Sequence, residues 1–153
     1  MTKEFNSFEE IKKYYDEKSN TYIFKENDEM IDLVKFKFDL DVEANIDAWD
    51  IDAKNIYVLD INARHINAWN INSMDIKARN INAWNIDARN IDSWNIDAWN
   101  ICAINIEAID INYYAVCYAY ENIKCKSIKG KRNNAKHFVL DGKLEVENDQ
   151  SIQ

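Results

Sequence analysis

The residue types that most often carry out chemistry are few in this chain, and their spacing does not suit it. The cysteines Cys102, Cys117 and Cys125 form no C-x-x-C pair, and neither His65 nor His137 has an acidic or cysteine partner at metal-ligand spacing. Both glycines lie near the C-terminal end, so no glycine-rich loop is present to hold a phosphate. The sequence therefore predicts no metal, no cofactor and no catalytic residue, and it favours a protein that is not an enzyme.

Composition narrows the remaining possibilities. The chain has 153 residues and a net charge of −8, which suits one domain and disfavours direct binding to nucleic acid. No apolar run approaches the roughly 18 residues of a membrane-spanning helix. The first residues, MTKEFNSFEE, lack the charged and then apolar pattern of a signal peptide. We therefore expect a cytoplasmic protein with no membrane partner.

A strict five-residue repeat occupies the middle of the chain. Fourteen isoleucines recur at every fifth position from Ile46 to Ile111, and the residue two places later is Ala or Ser in all cases but Val58 and Tyr113. Asn or Asp precedes every isoleucine but one, which follows His65. In a strand, Ile and the small residue would point the same way, and Asn, which tolerates left-handed or bridge conformations, would make the corner. A helix is excluded because this period would rotate the isoleucines by about 140° per repeat.

A unit this short cannot bury its own isoleucine, so it must stack on its neighbours as in a solenoid. The repeat resembles the pentapeptide-repeat family over residues 46–115, and Ile123 and Ile128 resume the spacing within 122–130. The order differs from the family's usual unit, because the large residue here precedes the small one. The resemblance implies an all-β fold: a right-handed, quadrilateral β-helix with one pentapeptide per side and about twenty residues per coil.

The segment before the repeat is predicted to cap the open end of the solenoid. Within residues 1–45, a helix is expected over 7–19, with Ser7 as its N-cap, and strands are expected at 21–24 and 33–42. The repeat itself is assigned to residues 46–130.

After the repeat, residues 131–153 are predicted to form a hairpin around Asp141-Gly142 and a frayed tail. Lysine and arginine crowd residues 124–136, either as a solvated face or as a phosphate contact. A cluster of tyrosines is expected to form the far-end cap or a homodimer contact at the C-terminal end: Tyr113, Tyr114, Tyr118 and Tyr120.

A twenty-residue coil would stack residue n on residue n+20 and would thereby give the rod one acidic side. The residue after the small one points outward and is often Trp, which predicts stacking between coils, a binding surface, or both. Trp49 is expected to stack over Trp69 beside the acids. The predicted partner-binding residues are Asp47, Asp50, Asp52, Asp75, Asp87, Asp92, Glu107, Asp110, Trp49 and Trp69.

Two functions fit this display. Some pentapeptide-repeat proteins imitate DNA, and that resemblance together with the acidic side favours an inhibitor of a DNA-processing enzyme, such as a topoisomerase or a restriction or CRISPR-type nuclease. The alternative is a scaffold or oligomerisation module that binds a protein partner through its Trp columns or its solenoid ends. Binding by a DNA mimic should weaken steeply with salt, whereas binding by a scaffold should not.

Overall fold

A computed structural model describes residues 1–147; the rest of the tail predicted from the sequence lies outside them. The strands and the one short helix follow the chain in this order: β1 (Thr2–Phe5), α1 (Phe8–Ile11), a 3-10 turn (Lys12–Tyr14), β2 (Tyr15–Asp16), β3 (Thr21–Ile23), β4 (Lys25–Glu26), β5 (Glu29–Met30), β6 (Leu33–Phe36), β7 (Leu40–Asp41), β8 (Asn45–Asp47), β9 (Asp50–Tyr57), β10 (Asp60–Cys125), β11 (Ser127–Gly130), β12 (Lys136–Val139) and β13 (Lys143–Val146). The long strand β10 is continuous because it passes the corners of several coils without losing its extended conformation.

The coils stack in parallel into a β-helix of about seven turns. In the register of β9 with β10, Ile51 lies opposite Ile66 and Ile56 lies opposite Ile71, so equivalent positions are 15 residues apart. A coil of this length holds three pentapeptides and therefore has three faces. The predicted β-helix is confirmed, but the expected four-sided coil of about twenty residues is wrong. A period of five is compatible with both, since both coil lengths are multiples of five.

The three faces are named here by their pentapeptides. Face A consists of 46–50, 61–65, 76–80, 91–95 and 106–110. Face B consists of 51–55, 66–70, 81–85, 96–100 and 111–115. Face C consists of 56–60, 71–75, 86–90 and 101–105.

The core contains two inward rows on each face, as the alternation predicted. All fourteen isoleucines of the repeat are at most 2% exposed, and most of the small residues two places later are buried beside them. Burial of each isoleucine stabilises the fold by roughly 1.5–3 kcal/mol relative to an exposed side chain. The stacked isoleucines are therefore the main source of stability for a unit that could not fold alone.

The corners are held by ladders of asparagine side chains. At the corner between faces B and C, the amide of Asn70 donates to Asn55 at 2.7 Å, Asn85 to Asn70 at 2.8 Å and Asn100 to Asn85 at 2.8 Å. Similar runs occupy the other two corners: His65, Asn80 and Asn95 between A and B, and Asp75, Asn90, Asn105 and Asn122 between C and A. Asparagine is thus selected for hydrogen bonds along the axis.

The corners do not use left-handed backbone, as one reading of the asparagines would have it. Among the non-glycine residues that the structure describes, positive φ occurs at Asn20, Asn27 and Asp28, all before the repeat. The corners therefore need no residue with special backbone freedom, which explains how the repeat turns without glycine or proline.

The N-terminal segment continues the solenoid with longer, irregular coils. On face B, β1 pairs in parallel with β6 and β6 pairs with β9, while on face A β3 pairs with β8. The predicted helix over 7–19 is wrong in length, because α1 has four residues and Ser7 makes no side-chain cap. The chain leaves helical geometry after Tyr14 because Tyr15 and Asp16 pair with β3. Aromatic rings fill the wider interior here: Phe5, Tyr14, Phe24 and Phe36.

The C-terminal segment forms a further coil, and the predicted hairpin is wrong. Strands β12 and β13 each pair in parallel with β10, with His137 opposite Cys117 and Leu144 opposite Ile123. The two strands run along different faces, so the turn between them is a corner of the coil. Gly142 lies at this corner against the preceding coil, where a Cβ would sit 1.7 Å from the carbonyl oxygen of Glu121. A glycine is required there because the backbones approach so closely.

Candidate binding surface

A column of stacked aromatic rings runs along face B. The ring centroids of Trp69 and Trp84 are 5.0 Å apart, those of Trp84 and Trp99 are 5.7 Å apart, and those of Trp99 and Tyr114 are 5.0 Å apart. These four residues occupy the same outward position in successive coils, and coils spaced about 4.8 Å apart bring such rings into stacking contact. Lys54 begins the column, with its Nζ 5.2 Å from the ring centroid of Trp69. We name Trp69, Trp84, Trp99 and Tyr114 the aromatic column.

The aromatic column is stacked within itself and open to solvent at its outer edge. Trp69, Trp84 and Trp99 are 48%, 49% and 52% exposed, although their ring faces contact one another. The ring edges therefore form a ribbon on the protein surface. Stacking holds the side chains in place, so a partner that covers the ribbon would pay little side-chain entropy.

A row of short polar side chains lies beside the aromatic column. It contains the residue that follows each isoleucine of face B, and we name it the amide row: Asp52, Asn67, Asn82, Asp97 and Asn112. Between residues 66 and 115, Asp97 is the one charged residue of face B, and its carboxylate accepts from Lys131 Nζ at 2.6 and 2.8 Å. Face B is therefore close to neutral in a chain whose residues are 30% charged.

Face A mixes aromatic and charged side chains in one column. Arg64 lies over the ring of Trp49 at 4.0 Å, and Arg79 lies over Trp94 at 5.2 Å. The expected stacking of Trp49 on Trp69 is wrong, since these residues lie on different faces. Arg64 Nε is 3.6 Å from Asp50 Oδ1, and among the described residues neither buried atom has a hydrogen-bond partner.

The acids predicted to form one side of the rod are distributed over all three faces. Face B carries Asp52 and face C carries Asp75 and Asp87, whereas five acids lie on face A: Asp47, Asp50, Asp92, Glu107 and Asp110. From residue 46 to residue 115, the net charges of faces A, B and C are −2, −1 and −2. The predicted acidic side is therefore wrong, because it required stacking of residue n on residue n+20.

Several of these acids are engaged within the solenoid. Asp75 accepts from Asn90 at 2.7 Å, Asp110 accepts from Ser127 at 2.5 Å, and Glu107 lies 3.6 Å from Lys124. Burial raises the pKa of the Asp47 carboxyl above its usual value. These side chains have structural roles in the ladders and between coils.

The four tyrosines expected to form an end cap point to different parts of the molecule. Tyr113 is buried, with its hydroxyl 2.7 Å from His137 Nδ1, and Tyr114 belongs to the aromatic column. Tyr118 packs on Phe138, and Tyr120 is exposed. The cap prediction is wrong because β11, β12 and β13 add another coil beyond them.

The cysteines are not arranged for nucleophilic chemistry. Burial raises the pKa of Cys117 to about 12 and that of Cys125 to about 11, and burial with nearby Asp87 raises the pKa of exposed Cys102. Protonated thiols are poor nucleophiles, so none of the three is activated. Within residues 1–147, no group of three His, Cys, Asp or Glu side chains could hold a metal ion. No helix in the described part is long and apolar enough to span a membrane.

Neither a protein-family model, nor a curated protein, nor a solved structure matches this chain. The strand register and the buried isoleucine rows nevertheless define a parallel β-helix. The aromatic column escaped the sequence reasoning, although its signal was present: Trp69, Trp84 and Trp99 recur at intervals of 15 residues, and Tyr114 follows at the same interval.

Proposed function

We propose that this protein is a non-enzymatic scaffold module that binds a protein partner through face B. The observation that carries the proposal is the aromatic column, whose half-exposed ring edges lie on a nearly neutral face. Trp and Tyr are enriched at the energetically dominant positions of protein interfaces, and charged residues are depleted at interface cores. A large, rigid aromatic ribbon beside uncharged amides has that composition.

The other two faces suit this role less well. On face A, Arg64 and Arg79 interrupt the outward column, and Lys77 lies beside them. On face C, Arg89 interrupts a column that otherwise contains Leu59, Met74 and Ile104. Covering either face would desolvate charges that need new partners, which costs free energy.

A DNA-mimicking inhibitor is the second candidate, and its remaining support is the net charge of −8. A DNA mimic presents its acids to one binding groove, but the three-sided coil distributes them around the axis. We also propose that the repeat is a three-sided relative of the pentapeptide-repeat pattern, since it keeps the inward large and small residues at a spacing of two. The cytoplasm is the proposed location.

A capture experiment with matched tryptophan variants tests the binding role. The wild-type chain, Trp84→Glu and Trp94→Glu are immobilised and exposed to a lysate at low and at raised salt. Trp94 is a suitable control because it is 54% exposed at the same outward position, but on face A. The scaffold proposal predicts that capture survives salt, persists in Trp94→Glu and is lost in Trp84→Glu. Capture that salt abolishes and Trp84→Glu retains would overturn it in favour of the acidic mimic.

A further inference from the structure

We infer that face B pairs with face B of a second copy of this chain, with the two solenoid axes antiparallel. This inference rests on the proposed function, because it names the partner of the same surface. A face that binds its own copy must be complementary to itself under a two-fold rotation. The order of side chains along face B meets that requirement.

The two-fold axis would pass through the central coil of face B, at residues 81–85, and lie along its strand. Under this rotation the aromatic column faces itself. Trp84 meets Trp84 of the second copy, and Trp69 meets Trp99 of the second copy. Lys54 meets Tyr114 of the second copy, which places an ammonium group against an aromatic ring. The cation at one end of the column thereby obtains a partner at the other end.

The amide row is also complementary under the same rotation. Asn82 meets Asn82 of the second copy, Asn67 meets Asp97, and Asp52 meets Asn112. Each carboxylate is thus opposite an amide, which can donate N–H groups to it. No two like charges meet across these five coils, although each chain carries a net charge of −8.

Face A fails the same test. A two-fold axis through its central coil, residues 76–80, would place Arg79 against Arg79 and Lys77 against Lys77 of the second copy. It would also place Asp47 against Glu107. These like-charge pairs would oppose association. Self-complementarity is therefore not a general consequence of the repeat, since face A has the same length and the opposite result.

The size of face B predicts a weak and reversible dimer. Five coils about 4.8 Å apart and five residues of about 3.3 Å each give a face of roughly 24 by 16 Å. This is smaller than the roughly 800 Å² per partner of a standard stable interface. Association should therefore depend on concentration.

Sedimentation equilibrium of the purified full chain over a concentration series tests the inference. We expect the mass to rise toward that of a dimer for the wild type and for Trp94→Glu. Trp84→Glu should weaken the association by about tenfold or more, since it places a charge at the centre of the interface. A wild type that stays monomeric throughout the series would overturn the inference.

Cysteine cross-linking tests the position of the two-fold axis without altering a tryptophan. In a Cys102→Ser background, Asn82→Cys should form a covalent dimer with oxidised glutathione, because residue 82 meets its own copy. Asn72→Cys, an exposed position in the equivalent row of face C, is the control and should remain monomeric. Equal cross-linking of both variants, or of neither, would overturn the inference. If Trp84-dependent capture of another protein persisted in that case, the scaffold function would stand and the self-pairing would not.

Discussion

The indole rings of Trp69 and Trp84 lie within 2° of parallel with their centroids 5.0 Å apart, although 15 residues separate them in the chain. This contact follows from the coil length, because residues one coil apart become neighbours along the axis. The same relationship produces the asparagine ladders at the corners and the isoleucine rows in the core. The surface that we assign to binding is therefore a product of the architecture.

Replacement of the central tryptophan should destabilise the fold even though the side chain is half exposed. Trp84→Ala removes the stacking contacts with Trp69 and Trp99, and each aromatic pair contributes about 0.5–1.5 kcal/mol. We expect the free energy of unfolding, measured with urea, to fall by about 1–3 kcal/mol. Trp94→Ala should cost less, since the ring of Trp94 contacts the single cation of Arg79. Equal losses would contradict a stabilising role for the column.

The corner ladders predict an unusual sensitivity at an asparagine. Asn85 donates to Asn70 and accepts from Asn100, so Asn85→Ala breaks two hydrogen bonds and leaves polar groups unpaired. The expected loss is about 1–3 kcal/mol in a urea titration. Asn72→Ala, an exposed change outside the ladders, should stay within about 0.5 kcal/mol of the wild type. A neutral Asn85→Ala would show that the ladders do not stabilise the corners.

The narrow interior of a three-sided coil predicts strict limits on the small inward row. Ala98 is 2% exposed, and Ala98→Leu would force extra methylene groups between stacked coils. Overpacking of this kind costs about 1–3 kcal/mol, so the thermal midpoint should fall. Arg89→Leu introduces the same side chain at an exposed position of face C and serves as the control. A midpoint unchanged by Ala98→Leu would indicate a wider coil.

The cysteines predict a simple pattern of thiol labelling and of pH dependence. At neutral pH one thiol, that of Cys102, should react with a thiol reagent in the folded protein, and three should react after unfolding. Because burial raises the pKa of Cys117 to about 12 and of Cys125 to about 11, the unfolded chain loses these protons first as the pH rises. Their contribution to stability is complete below about pH 9 and is lost progressively up to about pH 12. A Cys117→Ala variant should lose less stability over that range, and an identical slope would contradict this assignment.

The repeat was sufficient to predict a β-helix and the orientation of its side chains, because burial of Ile and Ala at a spacing of two is a local property of strands. It was not sufficient to predict the number of sides. Trp49 and Trp69 are 20 residues apart and suggested four sides, whereas Trp69 and Trp84 are 15 apart and occupy one column. The distribution of charge over the faces depends on that number, so the predicted acidic side failed with it.

The two ends were predicted less well for a related reason. The helical pattern over residues 7–19 and the hairpin pattern around Gly142 are local signals, and both segments instead follow the strand edges of the neighbouring coil. Pairing along the solenoid axis provides hydrogen bonds and buried area that local propensity does not. A sequence pattern that ignores the coil beneath it therefore misassigns these segments.

The most direct test of the account is a disulfide that reports the coil length. In a Cys102→Ser background, Asn72→Cys with Asp87→Cys places two cysteines at equivalent positions of face C in adjacent coils, within the range of Cα separations of about 4.4–6.8 Å that a disulfide spans. Asn72→Cys with Asp92→Cys, 20 residues apart, places them on different faces. The three-sided coil predicts an intramolecular disulfide in the first variant and free thiols in the second. A disulfide in the second variant and none in the first would contradict the fifteen-residue coil, and with it the aromatic column on face B.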